Sequence, residues 1–144
     1  MHKVLFVCRG NVGRSQFGEM FLKRLHPDFE VASAGTWVFQ DDGSSQHGKR
    51  LGEYGERFTN ILTTMDEEGI DVRNNERTQL SEEMLGSYDE VIVMAEPYSF
   101  PDYFKNFPDL IFWTVDDAKD TDLDFHRKVR DEVKRRVEER WGNA

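Results

Sequence analysis

The chain contains 144 residues, carries a formal net charge of −9 and is 38% hydrophobic. Its length is sufficient for one domain with a packed core and insufficient for two. The acidic charge argues against nucleic acid as a partner, and no apolar run approaches the roughly 20 residues that span a membrane, so we expect no membrane insertion. The start of the chain lacks a signal-peptide pattern and Cys8 is the only cysteine, which predicts a cytoplasmic protein without a disulfide.

Four segments have the composition of strands. Residues 3–7 and 90–94 are almost entirely apolar, as is typical of strands buried on both faces. Residues 30–34 and 110–115 are the other two predicted strands. Helical patterns separate these segments, and such alternation predicts one α/β domain over residues 1–144, with a parallel twisted sheet of about four strands and helices on both faces.

The spacing of apolar residues predicts the helices. One begins at Ser15, one covers residues 56–68, and a short one begins at Ser81. We interpret the polar residues 40–48 as an exposed loop, and the apolar stripe on the last helix as core packing. That stripe repeats at intervals of four residues and consists of Phe125, Val129, Val133, Val137 and Trp141.

Cys8 lies between the first predicted strand and the first predicted helix. Gly10 and Gly13 permit backbone angles that are closed to other residues, so the N–H groups of this segment can form a concave anion site. The helix N-terminus adds partial positive charge, and Arg14 offers a planar pair of donors for two phosphate oxygens. The segment therefore predicts a phosphate-sized anion site beside a thiol.

The same surroundings predict that Cys8 is a nucleophile. A helix N-terminus and a neighbouring arginine favour the thiolate form of cysteine. Ser15 is predicted to donate its hydroxyl to the sulfur and to cap the helix, and Asn11, which tolerates left-handed geometry, is predicted to hold the loop by side-chain hydrogen bonds. Most free cysteines are small structural residues, but a structural cysteine does not need two glycines, an arginine and a serine beside it.

Residues 7–15, VCRGNVGRS, resemble the V-C-x-G-N-x-C-R-S signature of the low-molecular-weight protein tyrosine phosphatase family and its arsenate reductase relatives. The match departs only at Gly13, where the family often has a second cysteine. Glu19 and residues 33–36, SAGT, extend the resemblance. It implies a flavodoxin-like phosphotyrosine phosphatase fold with Cys8 and Arg14 as catalytic residues. It also implies a phosphate-binding loop formed by Arg9, Gly10, Asn11, Val12, Gly13, Arg14 and Ser15.

The family takes its general acid from an aspartate in an Asp-Pro pair shortly before the last helix. Alignment at the end of the preceding strand assigns this role to Asp117, with Asp116 as the alternative. Ala118 replaces the proline, so the backbone lacks the restriction that proline gives. The implied reaction is phosphomonoester hydrolysis through a phosphocysteine, with no metal and no other cofactor. We interpret the remaining acids of this segment as solvated residues that cap the last helix: Asp120, Asp122 and Asp124.

Aromatic residues at the pocket mouth give the family its selectivity for phosphotyrosine. Trp37 is the candidate for the first wall, with Phe39 as the alternative, and Lys119 occupies the place of the second aromatic residue. Val12 is aliphatic, which in the family accompanies phosphotyrosine, whereas threonine there marks the phosphoarginine branch. The implied substrate is a phosphotyrosyl protein or a small aryl phosphate.

Two other functions remain open. Arsenate reductases of the family resemble this chain at residues 14–16 and 129–132, but those coupled to thioredoxin use two further cysteines. This chain would therefore need an external small thiol to reduce arsenate. The third alternative is a non-catalytic phosphate-binding module, although a module that only binds does not need Cys8.

Overall fold

The computed structural model describes residues 1–142 and contains one four-stranded sheet. Its strands are β1 (Lys3–Cys8), β2 (Glu30–Gly35), β3 (Glu90–Val93) and β4 (Ile111–Phe112). The strands lie in the order β2-β1-β3-β4, and every neighbouring pair is parallel. The predicted parallel α/β fold is confirmed.

Four α-helices connect or follow these strands. They are α1 (Arg14–Leu25), α2 (Thr59–Asp66), the single turn α3 (Glu82–Leu85) and α4 (Leu123–Trp141). None of the helices described within residues 1–142 is long and apolar enough to cross a membrane. Three short 3-10 helices, which the sequence patterns did not predict, cover Leu51–Tyr54, Pro97–Ser99 and Asp102–Asn106.

The central strand β1 divides the hydrophobic core into two clusters. Val4 and Phe6 point to one face of the sheet, where they pack with side chains of α1, α2 and α4. Leu5 and Val7 point to the other face and pack with side chains from α3 and from the 3-10 helix Asp102–Asn106. All four β1 side chains are completely buried because a strand that is covered on both faces alternates between two apolar layers.

The long helix α4 uses its apolar stripe as predicted. Val129, Val133 and Val137 are buried in the core, and Phe125 and Trp141 are partly buried against it. Asp122 precedes the helix and accepts a hydrogen bond from the backbone N–H of Phe125 at 2.9 Å, so the predicted cap is present.

Two elements are shorter than predicted. The predicted strand over residues 110–115 forms ladder pairs only at Ile111 and Phe112, and it ends there because β3 itself ends at Val93, the partner of Phe112. The predicted helix over residues 56–68 begins at Thr59, because the chain first forms a 3-10 helix and then adopts a positive φ of 59° at Gly55. In both cases the neighbouring chain, rather than local apolar content, determines the boundary.

The strand register brings three loops to one edge of the sheet. Val7 pairs with both Ala34 and Val93, and Cys8 pairs with Gly35. Gly35 lies so close to the loop after β1 that a Cβ atom there would be 2.5 Å from the carbonyl oxygen of Arg9. The chain therefore requires glycine at the end of β2 for steric reasons.

We expect Gly35→Ala to displace the loop after β1. Overpacking of this kind costs about 1–3 kcal/mol of unfolding free energy, and two of the three nearest atoms, the Arg9 carbonyl oxygen and the Asn11 nitrogen, belong to the backbone and cannot rotate aside. Urea unfolding of the variant measures the loss. Gly86→Ala is the matched control, since its Cβ would meet no atom closer than 3.9 Å. Equal stabilities of the two variants would contradict the prediction.

A second prediction concerns Glu90 of β3, which forms hydrogen bonds with His2 near the start of the described chain and with two residues at the end of α4. Its carboxylate accepts hydrogen bonds from His2 at 2.6 Å, the Arg140 guanidinium at 2.6 Å and the Trp141 indole at 3.0 Å. Burial alone would raise the pKa of Glu90, but these donors lower it below its usual value.

A carboxylate with a lowered pKa stabilises the fold above its unfolded-state pKa, and this stability disappears as the pH falls through the folded-state pKa. We therefore expect Glu90→Gln to lose about 1–2 kcal/mol at pH 7, because neutral amide hydrogen bonds are weaker. Its stability should also fall less than that of the wild type between pH 7 and acid. Urea unfolding at several pH values measures both effects, with exposed Glu83→Gln as the control.

Candidate active site

The loop of residues 9–13 joins β1 to α1 and presents unpaired backbone donors. None of its five backbone N–H groups donates a hydrogen bond to any residue among 1–142. The loop is continuous with the N-terminus of α1, whose first N–H groups are also free of helical partners. Such a concave row of N–H groups at a helix N-terminus is a site for a tetrahedral oxyanion.

Asn11 determines the shape of this loop. It is completely buried and has a left-handed φ of 57°. Its side-chain amide donates to the hydroxyls of Ser15 at 2.8 Å and Ser33 at 2.9 Å, and its side-chain oxygen accepts from the backbone N–H of Thr78 at 2.7 Å. These hydrogen bonds offset the cost of the left-handed backbone.

The unusual backbone angles of the loop lie at Asn11 and Gly13. Neither Gly10 nor Gly13 has a positive φ, but Gly13, at φ −105° and ψ −88°, lies outside the helical and extended regions. The left-handed residue of the loop is Asn11, whose side chain bonds locally. A Cβ atom at Gly13 would lie 3.3 Å from the end of the Ile61 side chain.

Cys8 is almost fully buried at the base of the loop. Its Sγ lies 3.0 Å from the hydroxyl oxygen of Ser15. Because the Ser15 oxygen already accepts a hydrogen bond from Asn11, its own hydrogen is available for the sulfur. The prediction that Ser15 caps the helix is wrong. The helix α1 begins at Arg14, so Gly13 occupies the N-cap position and Ser15 lies inside the first turn.

A chain of hydrogen bonds continues behind the thiol. The Ser33 hydroxyl, which accepts from Asn11, donates to a carboxylate oxygen of Glu19 at 2.5 Å. The network therefore has two branches that diverge from the Asn11 amide, one through Ser33 to the Glu19 carboxylate and one through Ser15 to Cys8. Because the two amide hydrogens are used by Ser15 and Ser33, the network fixes the orientation of the Asn11 side chain and of the Ser15 hydroxyl beside the sulfur.

Arg14 is buried beneath the loop and paired with Glu96. One guanidinium nitrogen donates to Glu96 at 2.6 Å and to the carbonyl oxygens of Met94 and Val115, and the other donates to Glu96 at 3.1 Å. Burial by itself lowers the pKa of Arg14, but the bonded carboxylate of Glu96 and the nearby Cys8 and Asp117 raise it overall. Arg14 is therefore held as a cation in a fixed orientation.

The loop opens into a cavity of about 260 Å³. Asp117 lines it, and one of its carboxylate oxygens is 3.9 Å from the Arg14 guanidinium. Asp116 does not line it, which favours Asp117 of the two alternatives. The other carboxylate oxygen of Asp117 accepts the backbone N–H of Lys119 at 3.0 Å, so this local turn restrains the aspartate where no proline follows it.

The rim of the cavity combines aromatic rings with cations. Trp37 and Phe39 both line it, with ring centroids 5.3 Å apart, and Lys119 lines it as well. The Arg9 guanidinium lies 4.9 Å from the Trp37 ring and 5.7 Å from the exposed ring of Tyr98. The predicted first wall therefore contains both aromatic candidates, and Val12 lines the cavity as well.

The predicted phosphate-loop residues divide into two groups. Asn11 and Ser15 are buried behind the loop and do not line the cavity, so their side chains support its shape. The others line the cavity: Arg9, Gly10, Val12, Gly13 and Arg14. Among residues 1–142, no three His, Cys, Asp or Glu side chains converge as they would around a metal ion.

Sequence reasoning missed two charged residues of this site, Glu96 and Arg77. Glu96 follows β3 at the same edge of the sheet where Cys8 follows β1, so the rule that ligands bind beyond the carboxyl ends of parallel strands would have identified it. No comparable local signal marks Arg77, which reaches the loop from 67 residues away and donates to the carbonyl oxygen of Gly10 at 3.0 Å.

Comparison with known proteins identifies relatives of two kinds. Low molecular weight protein-tyrosine-phosphatase Wzb of Salmonella typhi is 30% identical over 95 residues, which cover 66% of this chain and 55% of that protein. The match thus spans little more than half the length of this relative. Glutaredoxin arsenate reductase of Synechocystis is 29% identical over 140 residues, which cover 96% of this chain and 95% of that protein.

The fold has close counterparts among solved structures. Vibrio vulnificus Wzb, in complex with benzylphosphonate, superposes with a TM-score of 0.78 at 21% identity, covering 98% of this chain and 97% of that one. The family model described as low molecular weight phosphotyrosine protein phosphatase matches residues 3–141. The chain therefore belongs to the low-molecular-weight phosphotyrosine protein phosphatase family.

Proposed function

We propose that this chain is a cysteine-dependent protein tyrosine phosphatase that hydrolyses phosphomonoesters through a phosphocysteine intermediate. The observation that carries the proposal is the position of Cys8. Its sulfur lies at the base of a loop of unpaired N–H groups, 3.0 Å from a serine hydroxyl, in a cavity that Asp117 also lines. A nucleophile, an oxyanion site and a carboxyl group are thus available to one substrate.

In the first step, the loop N–H groups and Arg14 bind the phosphoryl oxygens and the Cys8 thiolate attacks phosphorus. The S–P bond forms as the bond between phosphorus and the ester oxygen breaks, and Asp117 donates its proton to the departing oxygen. The buried pair with Glu96 keeps Arg14 in place before substrate arrives, so little reorganisation is needed as charge develops on the phosphoryl group.

In the second step, Asp117 is a carboxylate and accepts a proton from water. The water oxygen attacks phosphorus, the S–P bond breaks, and the products are inorganic phosphate and the Cys8 thiolate. The Ser15 hydroxyl stabilises the thiolate as a leaving group by the hydrogen bond that it also makes in the free protein. No metal or organic cofactor takes part in either step.

The cavity rim supports an aromatic phosphate ester as the substrate. Trp37 and Phe39 offer ring faces beside the loop, and aliphatic Val12 leaves room without adding a polar group. Vibrio vulnificus Wzb was solved with benzylphosphonate, in which a phosphonate is attached to a benzyl group. A phosphotyrosyl protein of the cytoplasm or a small aryl phosphate is therefore our proposed substrate.

Arsenate reduction with an external thiol is a second candidate function. It is favoured by the Synechocystis arsenate reductase, which matches this chain over nearly its full length. Arsenate has the shape and charge of phosphate and would bind in the same loop. Because Cys8 is the only cysteine, the two electrons would have to come from two molecules of an added thiol such as glutathione, which are oxidised to the disulfide as arsenate is reduced to arsenite and water.

A third prediction tests Asp117 as the general acid. Asp117→Asn should lower kcat for phenyl phosphate by about 10²–10³-fold, because removal of a general acid has effects of this size. The loss should be smaller for p-nitrophenyl phosphate, whose leaving group needs less protonation. Steady-state kinetics with the two substrates measures the difference.

Asp116→Asn is the matched control and should keep wild-type activity, since its carboxylate lies outside the cavity. The reverse result would assign the role to Asp116. An inert wild type that reduces arsenate with glutathione would replace the phosphatase assignment, and phosphate binding without turnover in either assay would indicate a binding module.

The next prediction tests the hydrogen bond to the sulfur. Ser15→Ala should lower kcat by about 10–100-fold, the size expected for a hydrogen bond to a charged group. Burst kinetics with p-nitrophenyl phosphate should show a slower second step, because the thiolate is then a poorer leaving group. Ser33→Ala removes a hydroxyl of the same network that does not touch Cys8, and it should have a smaller effect. An unchanged burst in Ser15→Ala would contradict this role.

A further inference from the structure

Arg77 is a buried cation without an anionic partner. Only 5% of its surface is exposed, and none of the carboxylates within residues 1–142 forms an ion pair with it. Its Nε donates to the carbonyl oxygen of Gly10 at 3.0 Å, and its Nη1 donates to the Tyr54 hydroxyl oxygen at 3.1 Å. A buried charge is costly unless an opposite charge compensates it, so the arrangement indicates an anion from outside the chain.

The third nitrogen of this guanidinium is available to a ligand. Nη2 of Arg77 makes no hydrogen bond to any residue among 1–142, and it lies 3.5 Å from the position that a Cβ atom of Gly10 would occupy. Both residues line the cavity. The free donor is therefore adjacent to the oxyanion loop but belongs to a separate charged group.

Arg57 is a second unpaired cation that lines the same cavity. The guanidinium groups of Arg57 and Arg77 lie 5.4 Å and 5.6 Å from the centre of the Phe58 ring. Arg57 is exposed, lines the cavity and forms no ion pair with any other described residue. Two guanidinium groups around one aromatic ring create a local positive field in a chain whose net charge is −9.

We propose that Arg77 and Arg57 form a second-anion subsite, which binds an oxyanion carried on the same substrate molecule as the phosphoryl group. The inference rests on the proposed function, since the loop must hold the first phosphoryl group. Guanidinium groups bind carboxylate and phosphate oxygens through paired donors, so either group fits this subsite. The preferred substrate is then a phosphate ester with a carboxylate or a second phosphate nearby.

Calorimetric titration with phosphonates, which are not hydrolysed, tests the second-anion subsite without turnover. Methylphosphonate carries one anionic group, phosphonoacetate and 2-carboxyethylphosphonate add a carboxylate, and methylenediphosphonate adds a second phosphonate. We expect the wild type to bind at least one of the two-group ligands about tenfold more tightly than methylphosphonate, the size of one charged hydrogen bond. Comparison of the carboxylate and diphosphonate arms identifies the second group.

Arg57→Gln should remove most of this tenfold preference and change methylphosphonate affinity by less than about twofold. Arg77→Gln should remove the preference as well, and any loss of methylphosphonate affinity in this variant measures the hydrogen bond from Arg77 to Gly10. Arg57 is exposed, so its variant remains informative if Arg77→Gln is unstable. Exposed Lys128→Gln removes the same charge away from the cavity and should preserve the preference.

Two results would overturn the inference while leaving the proposed function intact. One is a wild type without preference for the two-group ligands. The other is an equal loss of affinity for all ligands in the arginine variants, which would mean that Arg77 only supports the loop through Gly10. If methylphosphonate itself fails to bind to the wild type, the oxyanion loop is not a phosphate site and the proposed function fails as well.

Discussion

The structure of the candidate site depends on one buried side chain, Asn11. A loop that turns its backbone N–H groups toward a ligand must leave them unpaired with the rest of the protein, and such a loop has little stability of its own. Asn11 supplies the missing hydrogen bonds from behind, to Ser15, to Ser33 and from the backbone of Thr78. Because the supporting bonds use a side chain, the backbone donors remain free for an oxyanion.

The same arrangement serves the thiol. Asn11 donates to the Ser15 oxygen, which leaves the Ser15 hydrogen available for Cys8 3.0 Å away, so the support of the loop and the surroundings of the sulfur are not independent. Arg14 is likewise held in place by another side chain before any ligand binds, because Glu96 fixes its guanidinium and compensates its charge. Arg77 differs, since no carboxylate of the described chain compensates it. Of the two buried arginines of the site, Arg14 therefore has its charge compensated within the described chain and Arg77 does not.

Local patterns in the sequence predicted most of the fold correctly. Buried strands, alternating helices and the α4 stripe all have periodicities that reflect which face is apolar, and the structure confirms them. Cys8 was predicted as a nucleophile from the glycines, arginine and serine that follow it between a strand and a helix, and Asp117 was assigned from the family resemblance by alignment at the end of the preceding strand. The errors lie where distant chain segments determine the outcome. β4 ends at Phe112, opposite the last residue of β3, Val93, and Arg77 was missed because it contacts Gly10 from 67 residues away.

The sequence by itself determined the family, the strand-loop-helix that contains Cys8, and the parallel architecture that brings its loop to one edge of the sheet. These are properties of contiguous segments, whose composition and spacing are visible along the chain. Only the tertiary structure paired Arg14 with Glu96 and placed Arg77 against Gly10, because such contacts join residues more than 60 positions apart. Which charges are compensated depends on these long-range contacts, and that decides which anions the cavity can accept.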